Sequence, residues 1–454
     1  MRIESRPPPR ACSALQSWVS LPVVLVSIGS CAAVTEFVDP EVDAASEEAN
    51  APRVTAPGLG AAQVILRPRK VRPFFGRHPW VLESAIARVE GDAADGDVVE
   101  LISDKGKFVA RGLYNTQSRI RVRLYTWSSS EAIDDAFWRR RLETAILLRR
   151  QLGYVDPNGA ARLVFSEADG LSGLVVDRYG EYLAVQPTGL AIAKRLDRIV
   201  PMLMEMLRPR GVVLRNERGL GQIEGIHLTE GAHWGQMPNG PIFIEENGLR
   251  FGVDLREGQK TGFYLDQREN RRAAAAYCRG RRVLDLFCYS GGFGLAASKL
   301  GGANQVLAVD SSEKAIVLAR ANAELNGVAN MHFQIGDGFQ TLDALAAAGE
   351  RFGAVVLDPP KFARSRAAVS DALMAYHRLN RMAVELLEPG GILITCSCSG
   401  HVTREDFLHM LAGVAQRTGR DIQILEQRGA AADHPIAASC LESEYLKCFI
   451  CRAV

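Results

Sequence analysis

Two cysteines at the end of one apolar run have the type and spacing for covalent chemistry. They lie in "LITCSCSGHV" (392–401), where 392–394 predict a short buried strand and Cys396 and Cys398 follow it. Such thiols act as inert packing groups, metal ligands, disulfide partners or nucleophiles. The later "CFIC" (448–451) does not complete a standard zinc spacing, because a strand points its two cysteines to opposite faces. Nine cysteines in 454 residues are also no disulfide framework, so we predict neither a metal nor a disulfide here.

Acidic residues mark the ends of three successive predicted strands. They are Asp285, Asp310 and Asp337, in "RRVLDLF", "QVLAVD" and "MHFQIGD". The first strand leads into a turn (288–294) that contains Tyr289, Gly291 and Gly292, and glycines there let the backbone approach a ligand at a helix N-terminus. An acid at the end of the second strand suits the two hydroxyls of a ribose. Together these residues favour S-adenosylmethionine, a cationic adenosyl ligand, over a pyrophosphate.

A fourth predicted strand ends in "LDPPKF" (357–362). The two prolines fix the backbone direction after Asp358, which either makes a rigid turn or aims the acid at a planar, amine-bearing group. Cys398 is predicted at the same sheet edge. A thiolate there can attack C6 of a pyrimidine, after which C5 takes a methyl group from a sulfonium. A base then removes the C5 proton, and elimination frees the thiolate.

The elements that position these residues alternate between strand and helix from about residue 255 onward. This pattern predicts an α/β fold with a doubly wound, mostly parallel sheet that binds ligands at the carboxyl ends of its strands. We predict a catalytic domain over 255–454 and an α+β middle domain over 134–254, with a meander over 161–189 and a helix near 190–208. A helix over 128–153 is expected to be capped by its serines and Glu131.

Residues 63–133 alternate between polar and apolar side chains and predict a small β-barrel. In "RIRVRLY", Arg119, Arg121 and Arg123 share one face of a strand. Further basic residues cluster just before it, namely Arg67, Arg69, Lys70, Arg72, Arg77 and His78. A formal net charge of only +2 leaves a solvated surface as the alternative, but such clusters suit a polyanion such as RNA.

The chain resembles the bacterial large-subunit ribosomal RNA m5C methyltransferase I family, the class I enzymes with an N-terminal PUA domain. The motifs run in family order along residues 64–454. They are "RHPWV" (77–81), "EADGLSGLVVDRYG" (167–180), "GQKTGFYLDQREN" (258–270), "LDLFCYSGGF" (284–293), "LDPPKF" (357–362), "SCSG" (397–400), "ADHP" (432–435) and "EYLK" (444–447). The resemblance implies a PUA domain, a middle domain and a Rossmann-like, S-adenosylmethionine-dependent methyltransferase domain.

The same resemblance implies roles for individual residues. "SCSG" identifies Cys398 as the nucleophile that forms a covalent adduct with C6 of a cytidine in 23S ribosomal RNA, and Asp358 contacts the base at its N3/N4 edge. The cofactor pocket takes in Asp285, Asp310, Asp337 and Asp358, together with Lys260, Tyr264, Asp266, Gln267 and Arg268 from a loop that covers cofactor and base. Glu442 is the expected acceptor of the C5 proton, although "CLESEYLK" lacks the proline that often precedes this acid in the family.

The first 62 residues have no counterpart in the family. Three arginines precede an apolar stretch (18–34) that resembles a secretory signal, and an acidic, Ala- and Pro-rich segment follows. The stretch is too short and interrupted for a membrane span. An export signal, a disordered extension and a start assigned too far upstream all remain open. We favour the last two, because the expected partner, large-subunit ribosomal RNA, is cytoplasmic.

Two other functions remain open on the same sequence. One is methylation of a different base position, such as a guanine nitrogen, which needs no cysteine. The other is a non-catalytic, RNA-binding ribosome assembly factor. The oligomeric state is also open, a homodimer included.

Overall fold

The computed structural model describes residues 61–216, 219–229, 233–256, 258 and 260–454. The extension predicted over 1–62 therefore lies outside the described residues, apart from its last two positions. Among the residues that are described, no helix combines the length and the apolarity that crossing a membrane would need.

The alternating pattern after residue 62 folds as one sheet, which we call the N-terminal module. Its elements are β1 Gln63–Leu66, α1 Arg72–Phe75, β2 Trp80–Leu82, β3 Ile86–Glu90, β4 Val98–Ile102, β5 Phe108–Tyr114 and β6 Ile120–Thr126. The strand order is β2-β6-β5-β4-β1-β3, and β1 runs parallel to β4. The inward-facing side chains of these strands form a separate apolar core.

The prediction of a basic, RNA-facing surface on β6 is wrong for Arg123. This side chain is only 9% exposed, and its guanidinium lies 3.2 Å from Glu167 and 3.1 Å from Glu224. Arg121 is paired with Glu83 at 2.8 Å, and only Arg119 is exposed. Alternation along a strand predicts which residues share a face, but it does not reveal that another part of the chain covers that face.

The middle module has a five-stranded sheet and a hairpin. Its elements are α2 Asp135–Gln151, β7 Ala160–Phe165, β8 Leu174–Tyr179, β9 Tyr182–Pro187, α3 Leu190–Ala193, α4 Leu196–Leu207, β10 Gly211–Leu214, α5 Leu220–Glu224, β11 His233–Gly235, β12 Ile242–Glu246 and β13 Leu249–Val253. The sheet order is β11-β10-β9-β8-β7, and β12 pairs with β13. The meander is confirmed, whereas the helix predicted near 190–208 is divided into α3 and α4.

The start of α2 differs from the prediction. Asp134 is the N-cap, because its carboxylate accepts the hydrogen bond of the Phe137 amide. Glu131 instead accepts hydrogen bonds from the Thr126 hydroxyl and from Arg140. Ser128 and Glu131 therefore belong to the turn that precedes the helix.

The C-terminal module is a seven-stranded sheet covered by helices. Its elements are α6 Arg268–Ala275, β14 Arg282–Leu286, α7 Gly292–Lys299, β15 Gln305–Asp310, α8 Glu313–Leu325, β16 Met331–Ile335, α9 Gly338–Ala347, β17 Phe352–Leu357, α10 Val369–Leu386, β18 Leu387–Ser397, α11 Arg404–Thr418, β19 Ile422–Arg428 and β20 Lys447–Ala453. The order is β16-β15-β14-β17-β18-β20-β19, and β20 is antiparallel to both of its neighbours. The doubly wound, mostly parallel sheet is confirmed, with its order reversing between β14 and β17, where such folds bind ligands.

Apolar residues on both faces explain why the central strands are buried so completely. All six residues of β17 are buried, as expected for a parallel strand between two layers of helices. Val283 and Val306 pack into one apolar core and Leu284 and Leu286 into the other. The carboxyl ends of β14, β15, β17 and β18 are thereby fixed along a single sheet edge.

Candidate active site

Cys398 lies directly after β18, at the carboxyl edge of the sheet. The strand extends three residues beyond the predicted run 392–394, so Cys396 and Ser397 belong to it and Cys398 is the first residue outside. Its thiol is partly exposed and lies 3.8 Å from the carbonyl oxygen of Pro359. The fold thus brings "SCSG" and "LDPPKF" together.

The Cys398 thiol is predominantly protonated at neutral pH. Burial raises its pKa to about 11, and the neighbouring Asp358 carboxyl acts in the same direction. The ammonium groups of Lys260 and Lys361 oppose this shift. Because only the thiolate is nucleophilic, this thiol needs a base to take its proton before it can act as a nucleophile.

A buried lysine supports the turn that carries Cys398. The Lys447 ammonium, in the "EYLK" motif, donates hydrogen bonds to the carbonyl oxygens of Ser399 at 2.7 Å and Tyr445 at 2.9 Å. Burial lowers the pKa of Lys447 to about 8. Sequence reasoning identified this motif without assigning the lysine a task, and its contacts show that it fixes the backbone beside the thiol.

The other cysteines of the C-terminal module are packing residues. Cys396 pairs in register with Cys448 of β20, both side chains are fully buried, and Cys451 faces the opposite core. The opposite orientations predicted for Cys448 and Cys451 are confirmed. The seven cysteines in the described part of the chain are free thiols.

The glycine-rich turn after β14 is shaped by residues with positive φ. These are Phe287 at 63°, Tyr289 at 47° and Gly291 at 78°, which fold the backbone back before α7 begins. Asp285 is buried beneath the turn, and its Oδ2 accepts the Gly294 amide hydrogen at 2.8 Å. This carboxylate therefore holds the turn against the end of its own strand.

Asp310 ends β15 and Asp337 follows β16, and the two acids are in different environments. Asp310 is partly buried, and its two oxygens accept the amide hydrogens of Tyr289 and Ser312, each at 2.9 Å. Asp337 lies two residues past β16, is exposed, and caps α9 through the amides of Phe339 and Gln340. A Cβ on neighbouring Gly338 would lie 2.5 Å from the Phe287 ring, so any larger residue there would have to displace that ring.

Asp358 connects the sheet edge that carries Cys398 with the "KTGFYLDQR" segment (260–268). Its Oδ2 accepts a hydrogen bond from Gln267 Nε2 at 2.9 Å. Burial and the nearby Asp266 carboxylate raise the pKa of Asp358 to about 6. Burial likewise raises the pKa of Asp285 to about 7, with Asp358 and Asp310 contributing. Crowded carboxyls of this kind favour a cationic ligand, so the turn and its acids fit S-adenosylmethionine.

The remaining residues of the "KTGFYLDQR" segment divide into two groups. Lys260 and Asp266 form an ion pair at 2.6 Å, and the Lys260 ammonium lies 4.3 Å from the centroid of the Tyr264 ring. Tyr264 in turn meets Tyr289 edge to face. Arg268 points elsewhere, toward Asp433 at 3.5 Å. The structure therefore does not bring Arg268 together with the other predicted cofactor residues.

The middle module anchors this segment through residues that sequence reasoning did not single out. Asp177 is completely buried and receives two hydrogen bonds of 2.8 Å from Arg162. It also accepts the hydroxyl hydrogen of Thr261, which lies 2.8 Å from the Tyr179 hydroxyl. Both Asp177 and Tyr179 belong to the "EADGLSGLVVDRYG" motif. Their contacts connect that motif with the distant "KTGFYLDQR" segment.

Glu442 contacts a different part of the molecule. Its Oε2 lies 3.4 Å from Nε2 of His78 and accepts the thiol hydrogen of Cys440 at 3.5 Å. Within the described ranges, these three side chains are the group that offers three metal-ligand atoms close together, all within 4.8 Å. His78 Nδ1 already accepts the Trp80 amide hydrogen, and the cluster is accounted for by its own hydrogen bonds. The role of Glu442 as proton acceptor stays a prediction.

Sequence profiles of known families match two parts of this chain. Residues 64–127 match a PUA-like domain, and residues 234–437 match an S-adenosylmethionine-dependent methyltransferase. The expected methyltransferase fold and its cofactor are therefore confirmed.

Curated relatives match almost along their entire length. Ribosomal RNA large subunit methyltransferase I of Shigella dysenteriae is 38% identical over 396 residues, which cover 87% of this chain and 99% of the relative. The protein of the same name from Escherichia coli gives the same identity and covers 87% of this chain and 100% of the relative.

Solved structures show the same fold. A methyltransferase crystallised with SAH has a TM-score of 0.74 at 22% identity and covers 86% of this chain and 99% of its own. A SAM-dependent methyltransferase from Streptococcus mutans has the same TM-score at 21% identity, with the same coverage.

Proposed function

Because the chain belongs to the ribosomal RNA large subunit methyltransferase I family, we propose that it forms 5-methylcytidine in large-subunit ribosomal RNA. The observation that carries this proposal is the position of Cys398. Its thiol is accessible at the sheet edge, beside Asp358 and near the turn that fits S-adenosylmethionine. A methyltransferase that modifies nitrogen or oxygen has no need of a thiol at that point.

The residues around the glycine-rich turn would hold the cofactor. When bound, S-adenosylmethionine supplies an electrophilic methyl group on a sulfonium. We assign Asp310 to the ribose hydroxyls, Asp337 to the adenine side, and the backbone at Gly291 and Gly292 to close approach. Tyr289 and Tyr264 form an aromatic wall beside them.

Cys398 opens the reaction by adding to the base. The carboxylate of Asp358 takes the thiol proton, the sulfur forms a bond to C6, and the proton passes to N3 as its charge develops. C5 then takes the methyl group. Loss of the C5 proton to a carboxylate of the site or to water restores the C5–C6 double bond as the C6–S bond breaks to release the thiolate, and N3 returns its proton to Asp358.

Exposed basic residues on two modules suit the RNA. In the N-terminal module these are Arg67, Arg69, Lys70, Arg72, Arg77 and Arg119, and beside "LDPPKF" they are Lys361, Arg364 and Arg366. Contacts of this kind would hold phosphates and position the strand without reading its sequence.

We propose that residues 63–133 form the RNA-binding domain, 134–254 the middle domain and 255–454 the catalytic domain. We propose that the enzyme acts in the cytoplasm, where large-subunit ribosomal RNA is found.

Asp310→Asn is expected to weaken binding of S-adenosylmethionine about 10- to 100-fold, because a hydrogen bond to a charged group contributes about 1.5–3 kcal/mol. Calorimetric titration of the purified protein measures the dissociation constant. Asp343→Asn is the control, since Asp343 is exposed on α9 and only reaches Arg378 at 3.8 Å. Equal affinities of the two variants would remove Asp310 from the cofactor site.

The pH profile tests the proton transfer between Cys398 and Asp358. Below pH 6 the Asp358 carboxyl is increasingly protonated and cannot take the thiol proton, so the single-turnover rate falls with decreasing pH. Above pH 6 the rate is expected to level off. In Asp358→Asn the thiol must ionise into water, and its pKa of about 11 makes the rate rise about tenfold per pH unit between 7 and 9. Parallel profiles for both proteins would contradict this assignment.

Methyl transfer from labelled S-adenosylmethionine to unmodified large-subunit ribosomal RNA tests the function itself. Nucleoside mass spectrometry of the product is expected to show 5-methylcytidine. A different methylated nucleoside would favour modification of another base position. Tight RNA binding without any methylation, on naked RNA or on assembled particles, would favour an assembly factor.

A further inference from the structure

One carboxylate oxygen beside Cys398 is buried without a partner. Asp266 is 2% exposed, and its Oδ2 accepts hydrogen bonds from the Lys260 ammonium at 2.6 Å and the Tyr445 hydroxyl at 2.5 Å. Its Oδ1 has no hydrogen-bond partner among the described residues. Buried acceptors are normally satisfied, so an oxygen left bare inside a site indicates a donor that arrives with a ligand.

This oxygen belongs to an ionised carboxylate. Burial by itself would raise the pKa of Asp266, but the Lys260 ammonium and His434 hold it well below its ordinary range. The Tyr445 hydroxyl stabilises the ionised form further by donating its hydrogen. A ligand that meets Oδ1 must therefore offer a hydrogen-bond donor and no second acceptor.

The position of Asp266 favours the methyl-accepting base over the cofactor as that ligand. The Tyr445 hydroxyl donates to Asp266 Oδ2, and the Tyr445 carbonyl oxygen accepts from Lys447, which also donates to the carbonyl oxygen of Ser399 beside Cys398. The Asp266 charge accordingly acts on the Cys398 thiol and on Asp358. Gln267, next to Asp266 in the chain, donates to Asp358. The two carboxyls are thus linked on the side of the nucleophile.

Cytosine offers these two carboxyls complementary partners. Its 4-amino group is a donor and its N3 is an acceptor, and both lie on one edge of the ring. Once Asp358 carries the thiol proton, it is the donor that N3 requires. We propose that Asp266 accepts a hydrogen bond from the cytosine 4-amino group and thereby makes the site specific for cytidine over uridine, an inference that rests on the proposed function.

Uracil reverses the pattern at this edge. Its O4 is an acceptor and its N3 carries a hydrogen, so O4 would face Oδ1 of Asp266, which has no donor of its own. Two acceptors in contact without a hydrogen repel each other, and both remain buried without a partner. Sites built around such a polar contact reject the wrong ligand far more strongly than apolar pockets do.

Covalent trapping measures this specificity directly. Ribosomal RNA fragments transcribed with 5-fluorocytidine or with 5-fluorouridine retain the enzyme as an adduct, because fluorine at C5 cannot leave as a proton. The wild type is expected to trap the cytidine RNA about 100-fold faster than the uridine RNA. In Asp266→Asn this ratio is expected to fall to about 10 or less, while the dissociation constant for S-adenosylmethionine changes less than about threefold.

Each alternative result has a defined meaning. An unchanged trapping ratio, or a loss of cofactor affinity as large as that of Asp310→Asn, would overturn the assignment of Asp266 to the base. A wild type that forms no 5-methylcytidine would instead refute the proposed function. Should Asp266→Asn fail to fold, Tyr445→Phe decides the question, because it removes one donor from Oδ2 and is expected to lower the ratio about threefold.

Discussion

Replacing Cys398 by alanine is expected to abolish formation of 5-methylcytidine, with a loss of at least about 10³-fold in the single-turnover rate, equivalent to about 4 kcal/mol in the barrier. The reason is chemical: without addition at C6, C5 of cytosine is not nucleophilic enough to take a methyl group. Binding of S-adenosylmethionine should be unchanged, because Cys398 follows β18, whereas the turn proposed to hold the cofactor follows β14. Labelled methyl transfer and calorimetry separate the two effects.

Cys396→Ala is the matched control for this experiment. Cys396 lies two residues away, but its thiol is completely buried against Cys448 inside the sheet. The Cys396→Ala variant should therefore keep its methylation activity and lose only packing contacts inside the sheet. Activity that survives in Cys398→Ala would mean that the methyl group goes to an atom that needs no covalent activation, such as a guanine nitrogen.

Replacing Asp177 by alanine is expected to destabilise the protein by about 3–5 kcal/mol, the cost of leaving a buried charge without its partner. Arg162 is 8% exposed and makes both of its short bonds to Asp177, so the guanidinium would lose its counter-charge in place. Thr261 would lose its acceptor as well, which releases the start of the loop that carries Asp266. Urea unfolding followed by circular dichroism measures the first effect.

Glu181→Ala controls for the loss of an ion pair as such. Glu181 and Arg210 are paired at 3.1 Å, but both side chains are more than half exposed, and such pairs contribute little to stability. Similar unfolding midpoints for the Asp177 and Glu181 variants would show that the Arg162–Asp177 pair is not needed for stability. A stable Asp177→Ala with impaired methylation would show that its main task is to hold the loop.

The sheet edge of the site was predictable because its signals are local. An apolar run followed by Asp285, Asp310, Asp358 or Cys398 predicts a strand and the residue at its end, and parallel strands place such ends along one edge. The glycine-rich turn was likewise predictable from its composition.

Residues whose partners are distant in sequence were predicted less well. The sequence predicted an exposed Arg123, because its partners Glu167 and Glu224 are distant in sequence and approach it only in the folded protein. Arg268 is the last residue of the "KTGFYLDQR" segment, yet it pairs with Asp433. The orphaned oxygen of Asp266 has no counterpart in any sequence pattern, since only the assembled pocket shows that one oxygen is satisfied and the other is not.

The buried contacts of Arg123 have a consequence for how a nucleotide is chosen. Glu167 and Glu224 hold the N-terminal module against the middle module, and the contact between His78 and Glu442 ties it to the C-terminal module at a second point. Because the modules are joined at both places, the distance between the N-terminal module and the sheet edge with Cys398 is fixed. Under the proposed function, an RNA bound by the N-terminal module would reach Cys398 only with a nucleotide at a fixed distance from its binding site on that module.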